Sequence, residues 1–116
     1  MMSGTRFEQR DIVLVPFPFT DLSSIKQRPV LVLSNNRYNQ KTEDIVTCGI
    51  TSNLKDREYS VLITKKDLEA GSLPVKSRIK IDKIFTLKQS LIRRKLGKVD
   101  EKTFIEVKKE ILRLVE

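Results

Sequence analysis

Apolar residues fall into short runs and alternations separated by polar turns, a rhythm of strands over most of the chain. Ile12-Val13-Leu14-Val15 is continuous, apolar and rich in β-branched side chains, the mark of a buried strand. Pro16 and Pro18 lack an N–H, so this strand has to bulge or reach a sheet edge there. Residues 19–28 are too long and too polar for a tight hairpin turn, and loops of this length in a compact domain often carry function. Pro29 opens a second run, Val30-Leu31-Val32-Leu33, which the turn-forming Ser34-Asn35-Asn36 close.

Residues 44–51 alternate, with Val46, Cys48 and Ile50 on one face and Thr47, Gly49 and Thr51 on the other. Thr51 ends this strand beside Ser52 and Asn53. Tyr59, Val61 and Ile63 mark a fourth strand, Thr64-Lys-Lys-Asp67 a capping box, and Gly71 the stop of a helix of one or two turns. Residues 77–82 put Ile79 and Ile81 inward and Arg78, Lys80 and Asp82 outward. Ile84 is out of phase, which predicts a bulge near Lys83. A basic segment, Ile92 to Val99, adds a sixth strand. Asp100 then caps a helix carrying Phe104, Val107, Ile111, Leu114 and Val115 on one stripe. The pattern predicts one domain over residues 1–116, mostly β (α+β), with five to six short strands in a strongly bent antiparallel sheet or small barrel and a C-terminal helix.

Composition narrows the chemistry. Lys and Arg number 23 against 15 Asp and Glu, a net charge of +8 and a pI near 9.8. Such an excess points first to nucleic acid and then to an acidic protein partner. The chain has no His and a lone Cys48, so Ser-His-Asp and Cys-His mechanisms are excluded, and a zinc site would have almost only carboxylates. A single cysteine forms no intrachain disulfide and suits a reducing cytoplasm. The longest apolar runs are four residues, far below the ~20 that cross a bilayer. Met1 to Arg10 has no apolar stretch like a signal peptide. A cytoplasmic protein without membrane contact and without a cofactor is expected.

The ordered combination of Asp11-Ile-Val-Leu-Val, a polar loop, Arg28-Pro29-Val-Leu-Val-Leu, and Ile50-Thr51 closing a third strand resembles the MazF/PemK family of toxin endoribonucleases. The likeness runs on through Ser77 to Thr86 and into the terminal helix. Its most specific element is Arg-Pro opening an apolar strand, followed 23 positions later by a strand-terminal Thr. The resemblance implies a homodimer with an SH3-like barrel in each subunit. It also implies sequence-selective cleavage of single-stranded RNA without metal, and neutralisation by an acidic antitoxin. The family's catalytic Arg and Thr match Arg28 and Thr51. Two departures stand out: Ser23 occupies the place of a common loop acidic residue, with Asp21 the nearest carboxylate, and Asp82-Lys83-Ile84-Phe85 replaces a common Glu-Gln-Ile-Arg.

Metal-free RNA cleavage uses the RNA's own 2′-OH as nucleophile and leaves a 2′,3′-cyclic phosphate and a 5′-OH. It needs a proton acceptor, a stabiliser for the charged phosphorane and a proton donor for the leaving oxygen. Arg28 offers a planar fork matched to phosphate oxygens, and its high pKa suits it to stabilising charge and donating a proton rather than to accepting one. Thr51 supplies a hydroxyl for a non-bridging oxygen, and Asp21 is the loop's candidate base. Without the resemblance, Arg28 reads as a surface residue at a strand start and Thr51 as a β-favouring residue. Candidate RNA contacts are Phe17 with Phe19 for base stacking, Asp21, Gln27, Ser52 and Asn53, and a cationic track of Lys26, Arg78, Lys80 and Lys83. Cys48 reads as a small buried apolar residue. Two other functions suit the same barrel: a toxin directed at DNA gyrase, which has no use for the Arg–Thr pair, and a family member that binds RNA without cutting it.

Overall fold

The computed structural model describes residues 7–18 and 25–116. Among them, seven strands form one antiparallel sheet that curls into a half-barrel, with a C-terminal helix against it. In chain order the strands are β1 Asp11–Pro18, β2 Ile25–Val32, β3 Asp44–Thr51, β4 Ser60–Ile63, β5 Leu68–Gly71, β6 Ser77–Lys88 and β7 Arg94–Val99. Helix α1, Asn36–Lys41, joins β2 to β3, and helix α2, Glu101–Val115, ends the chain. The spatial order is β4-β6-β3-β2-β1-β7-β5.

The two continuous apolar runs lie at the centre, where both sheet faces are covered. Ile12, Leu31, Cys48, Ile79, Ile81 and Val99 form one core with Phe104 and Val107 of α2. Val13, Val15, Val30, Val32 and Ile45 form a second core on the opposite face, against which Phe7, Phe85, Leu87 and Ile92 pack. This double burial explains why β1 and β2 carry apolar runs rather than alternation. It also corrects the one-sided reading of β3, in which Ile45 and Thr47 are buried as fully as Cys48.

Pro16 and Pro18 sit where the sequence requires. β7 pairs with β1 only as far as Leu14, so from Pro16 onward β1 is an edge on that side while it still pairs with β2. The Asp100 cap holds as read: its carboxylate accepts the Thr103 N–H at 2.8 Å. Phe104 and Val107 are buried, each contributing roughly 1.5–3 kcal/mol of hydrophobic stabilisation. The predicted bulge near Lys83 is present, described below.

Other expectations change. β2 begins at Ile25, so Arg28 stands within a strand rather than at the end of a loop. Asn35 does not merely turn the chain: its side chain accepts the Tyr38 N–H at 2.8 Å and caps α1, a helix whose short length hid its periodicity. The capping box at Thr64–Asp67 exists but closes a single 3₁₀ turn, Lys65–Asp67. Gly71 ends strand β5 rather than a helix. Its φ is +79°, and a Cβ there would lie 2.2 Å from the Leu96 carbonyl oxygen, so the β5–β7 approach requires glycine. Val115 points away from the α2 core face and is exposed.

Candidate active site

Two ladders break at one place on the sheet. β2 and β3 pair at Val30–Gly49, Leu31–Cys48 and Val32–Thr47, and then stop. The cause is Pro29. The Leu33 N–H donates to the Val46 carbonyl, whereas the Val32 carbonyl accepts from Arg10, so odd-numbered residues of β2 direct their N–H toward β3. Pro29 would be the next donor in that direction and has none. Continuing the register places Pro29 opposite Ile50 and Arg28 opposite Thr51, with the two side chains on the same face.

On the far side of β3 the second break occurs. Cys48 pairs with Ile84 of β6, but the next residue, Gly49, pairs with Lys80, so residues 81–83 bulge away from β3. Together the two gaps open a groove of about 600 Å³. Arg28 and Pro29 form one wall, Gly49, Ile50 and Thr51 the base, and Asp82, Lys83, Ile84 and Phe85 the other wall. Arg28 and Thr51, separated in sequence, therefore share one cleft, and Lys83 joins them.

The segment after Thr51 is fixed by hydrogen bonds. The Asn53 N–H donates to the Thr51 hydroxyl oxygen at 3.1 Å, and the Lys55 N–H donates to the Asn53 side chain at 3.0 Å. The Thr51 oxygen is thus an acceptor within the turn, which leaves its own hydrogen to donate. Two basic residues of β6 hold the same segment from beneath. Arg78 Nε donates to the Leu54 carbonyl at 3.0 Å, and its terminal nitrogen donates to the Ser60 hydroxyl at 3.1 Å. Lys80, expected to point into solvent, is instead covered by that segment: its ammonium donates to the Glu58 carbonyl at 3.0 Å and lies 2.8 Å from Asp56 and 3.6 Å from Asp82. Alternation gives its face correctly, but the loop folded over that face cannot be read from the strand itself.

The remaining candidates divide clearly. Lys26, Gln27, Ser52, Asn53 and Lys83 are exposed. The Phe17 side chain, Phe19, Asp21 and Ser23 lie outside the described residues. Asp82 and Phe85 line the groove although no role was foreseen for them. The break in alternation at Ile84 was the available signal, since it marks where β6 turns side chains toward the cleft. Cys48 is fully buried, and burial pushes its thiol up to about 12, so it stays protonated and inert at neutral pH. Among the described residues, no group of three or more His, Cys, Asp or Glu side chains could hold a metal ion. No helix among them is long and apolar enough to cross a membrane.

Comparison with known proteins agrees with the fold. Residues 8–115 match the family model described as PemK-like, MazF-like toxin of type II toxin-antitoxin system. A chain of the MazE–MazF complex from Deinococcus radiodurans superposes with a TM-score of 0.76 at 23% identity, over 93% of this chain and 94% of that one. A mycobacterial endoribonuclease solved with its cognate antitoxin gives 0.74 at 21% identity, over 93% of both chains. Mycobacterium tuberculosis toxin MazF-mt6 gives 0.72 at 19% identity, over 90% and 94%. At these identities the structures show a shared fold. A search of curated proteins by sequence finds no match.

Proposed function

Because the chain belongs to the PemK-like, MazF-like toxins of type II toxin-antitoxin systems, we propose that it is an endoribonuclease that cuts single-stranded RNA without metal and with selectivity for sequence. The observation that carries this reading is the Arg28–Thr51 groove, where a broken ladder leaves a guanidinium and a hydroxyl on one face of one cleft.

The 2′-oxygen of RNA attacks the adjacent phosphorus, and the bond to the 5′-oxygen breaks, giving a 2′,3′-cyclic phosphate and a 5′-OH. Arg28 neutralises the phosphorane through its paired donors and gives a proton to the departing 5′-oxygen. Thr51 donates to a non-bridging oxygen. Lys26 and Lys83 draw the phosphate backbone along the groove, while Gln27, Ser52 and Asn53 present hydrogen-bonding groups to flanking nucleotides. Phe17 stacks on a splayed base, and Asp21 and Arg78 contact the RNA at its margins. The protein acts in the cytoplasm as a homodimer and is held inactive by an acidic antitoxin. The net charge of +8 supports both polyanionic RNA and that acidic partner. Solved relatives include chains crystallised with an antitoxin.

Purified protein and Arg28→Ala are incubated with a long single-stranded RNA in EDTA, and the fragment ends are determined. Discrete cuts with 5′-OH ends are expected from the natural protein. Arg28→Ala should cut roughly 10²–10³-fold more slowly, as when one donor to a developing oxyanion is removed. Intact RNA across a broad set of sequences would overturn the nuclease reading.

A further inference from the structure

Residues 52–59 run from Thr51 to β4 without regular structure, and most of their side chains are exposed; only Leu54 and Tyr59 are half-buried. Apolar burial therefore holds this segment weakly. Yet it starts at the groove residue whose hydroxyl the chemistry above needs in a fixed place.

The support comes from β6. Arg78 pairs with Thr51 and Lys80 with Gly49, so both side chains stand on the face of the sheet that carries Thr51. Arg78 reaches the segment near its ends, at the Leu54 carbonyl and the Ser60 hydroxyl. Lys80 reaches its middle. The ammonium donates to the Glu58 carbonyl at 3.0 Å, lies 2.8 Å from Asp56, and stands 3.6 Å from Asp82 on the bulge wall of the groove. With 5% of its side chain exposed, this cation is desolvated and depends on those partners. Its charge is thus shared between the segment that follows the groove's base and the wall opposite Arg28. The same cover takes Lys80 out of the cationic track that meets phosphate.

We propose that Lys80 is a positioning residue for RNA cleavage, a reading that rests on the function proposed above. Its ammonium ties the segment after Thr51 to the bulge wall and so fixes the Thr51 hydroxyl, which the Asn53 N–H joins to that segment. Lys80 touches no substrate, and its effect on rate runs through Thr51.

The test compares the natural protein with Lys80→Met, Asp56→Ala, Thr51→Ala and the double variant of Lys80→Met with Thr51→Ala. Cleavable RNA gives kcat, and 2′-O-methyl RNA gives affinity at several salt concentrations. Lys80→Met should fold, since methionine fills the space of the lysine stem and the carboxylates left behind are 51% exposed at Asp56 and 36% at Asp82. Its kcat should fall roughly 10–10²-fold, the scale of a misplacement of about 1 Å. Affinity and its salt dependence should stay natural. A lysine that met phosphate would instead weaken binding and flatten the slope of log K against log salt by about 0.7. In the Thr51→Ala background, Lys80→Met should cost almost nothing further, because the group it positions is gone. Asp56→Ala removes a partner on the solvent side of the ammonium and should lower kcat in the same way by a smaller factor. The Asn53 and Lys55 amides should exchange hydrogen faster in Lys80→Met and Asp56→Ala. Natural kcat in Lys80→Met, a flattened salt slope, or losses from Lys80→Met and Thr51→Ala that simply add would overturn the assignment and leave the nuclease intact. If Lys80→Met does not fold, natural kcat in Asp56→Ala overturns it. Failure of the natural protein to cut any RNA overturns the nuclease reading itself and this role with it.

Discussion

β2 has two halves that differ in what its backbone and side chains are for. Val30 and Leu31 are paired on both sides, Val32 pairs with β3 and accepts from Arg10 on the other side, and all three are buried in a core on one face or the other. From Ile25 to Arg28 the same strand is paired with β1 alone, and the three residues Lys26, Gln27 and Arg28 are exposed. Pro29 stands between the halves. Hydrogen bonds satisfied inside the sheet give stability and leave nothing to offer a ligand. Where the ladder stops, the same pleat presents side chains to a cleft. Stability and function in this small domain are neighbours separated by one residue that lacks a donor.

The largest effect should come from the paired half. Leu31 is fully buried between β1, β3 and the core under α2, and Leu31→Ala should lower the unfolding free energy by roughly 2–5 kcal/mol. Chemical denaturation with the midpoint and slope fitted together checks this. The comparison breaks if Leu31→Ala and Arg28→Ala cost the same stability, since Arg28 should cost almost none.

A smaller effect should follow from loosening the layer beneath the paired half. Asp100 caps α2, whose Phe104 and Val107 complete the core below Leu31. Asp100→Ala should cost about 1 kcal/mol while cutting by the folded protein is unchanged, because no α2 residue lines the groove. The hydroxyl and backbone N–H of Thr103 hold the Asp100 carboxyl below its ordinary range. The folded state thus binds that proton less readily than the unfolded chain does. The cap's contribution is full above the unfolded carboxyl value of about 3.9 and is lost as pH falls through the depressed folded value. Asp100→Asn should keep the cap and remove that part of the acid dependence. Thermal melts of the three proteins from neutral pH downward would show it.

How much of this was legible in the sequence depends on the range of the interaction involved. Strand β1, the paired half of β2, strand β4 and the α2 cap are written in local apolar runs, alternation and single-residue chemistry, and they appear where expected, whereas the half of β2 from Ile25 to Arg28 was read as loop. The bulge was visible as the phase slip at Ile84. Its depth was not, because three residues leave the ladder only in relation to the register of β3. Helix α1 was missed because six residues carry too little periodicity to outweigh the turn-forming Ser34-Asn35-Asn36. Lys80 was read on the correct face and in the wrong surroundings, since its cover comes from Asp56 and Glu58 across a loop. The opposition of Arg28 and Thr51 belongs to the same class. It follows from the β2–β3 register, a long-range fact, whereas the resemblance to the family supplied the pair without the geometry. Asp82 was marked only indirectly, by the phase slip at Ile84 and by standing where the family's common Glu-Gln-Ile-Arg segment begins.

The sharpest test of the two halves is the residue between them, and its expected effect on stability is the smallest. Pro29→Ala restores an N–H that points at β3, opposite Ile50. One added rung is worth about 0.5–1.5 kcal/mol net. Loss of the proline ring frees the unfolded chain and offsets that by roughly 0.4–1 kcal/mol. The unfolding free energy should therefore hardly move, while the amide introduced at position 29 becomes protected from hydrogen exchange and the groove narrows at its Arg28 wall. If Arg28 and Thr51 act together, RNA cutting should fall in this variant even though neither residue is changed. A new amide that exchanges as freely as an exposed loop, with cutting unaltered, would show that the missing donor is not what opens the cleft, and the cause would then pass to the bulge at residues 81–83.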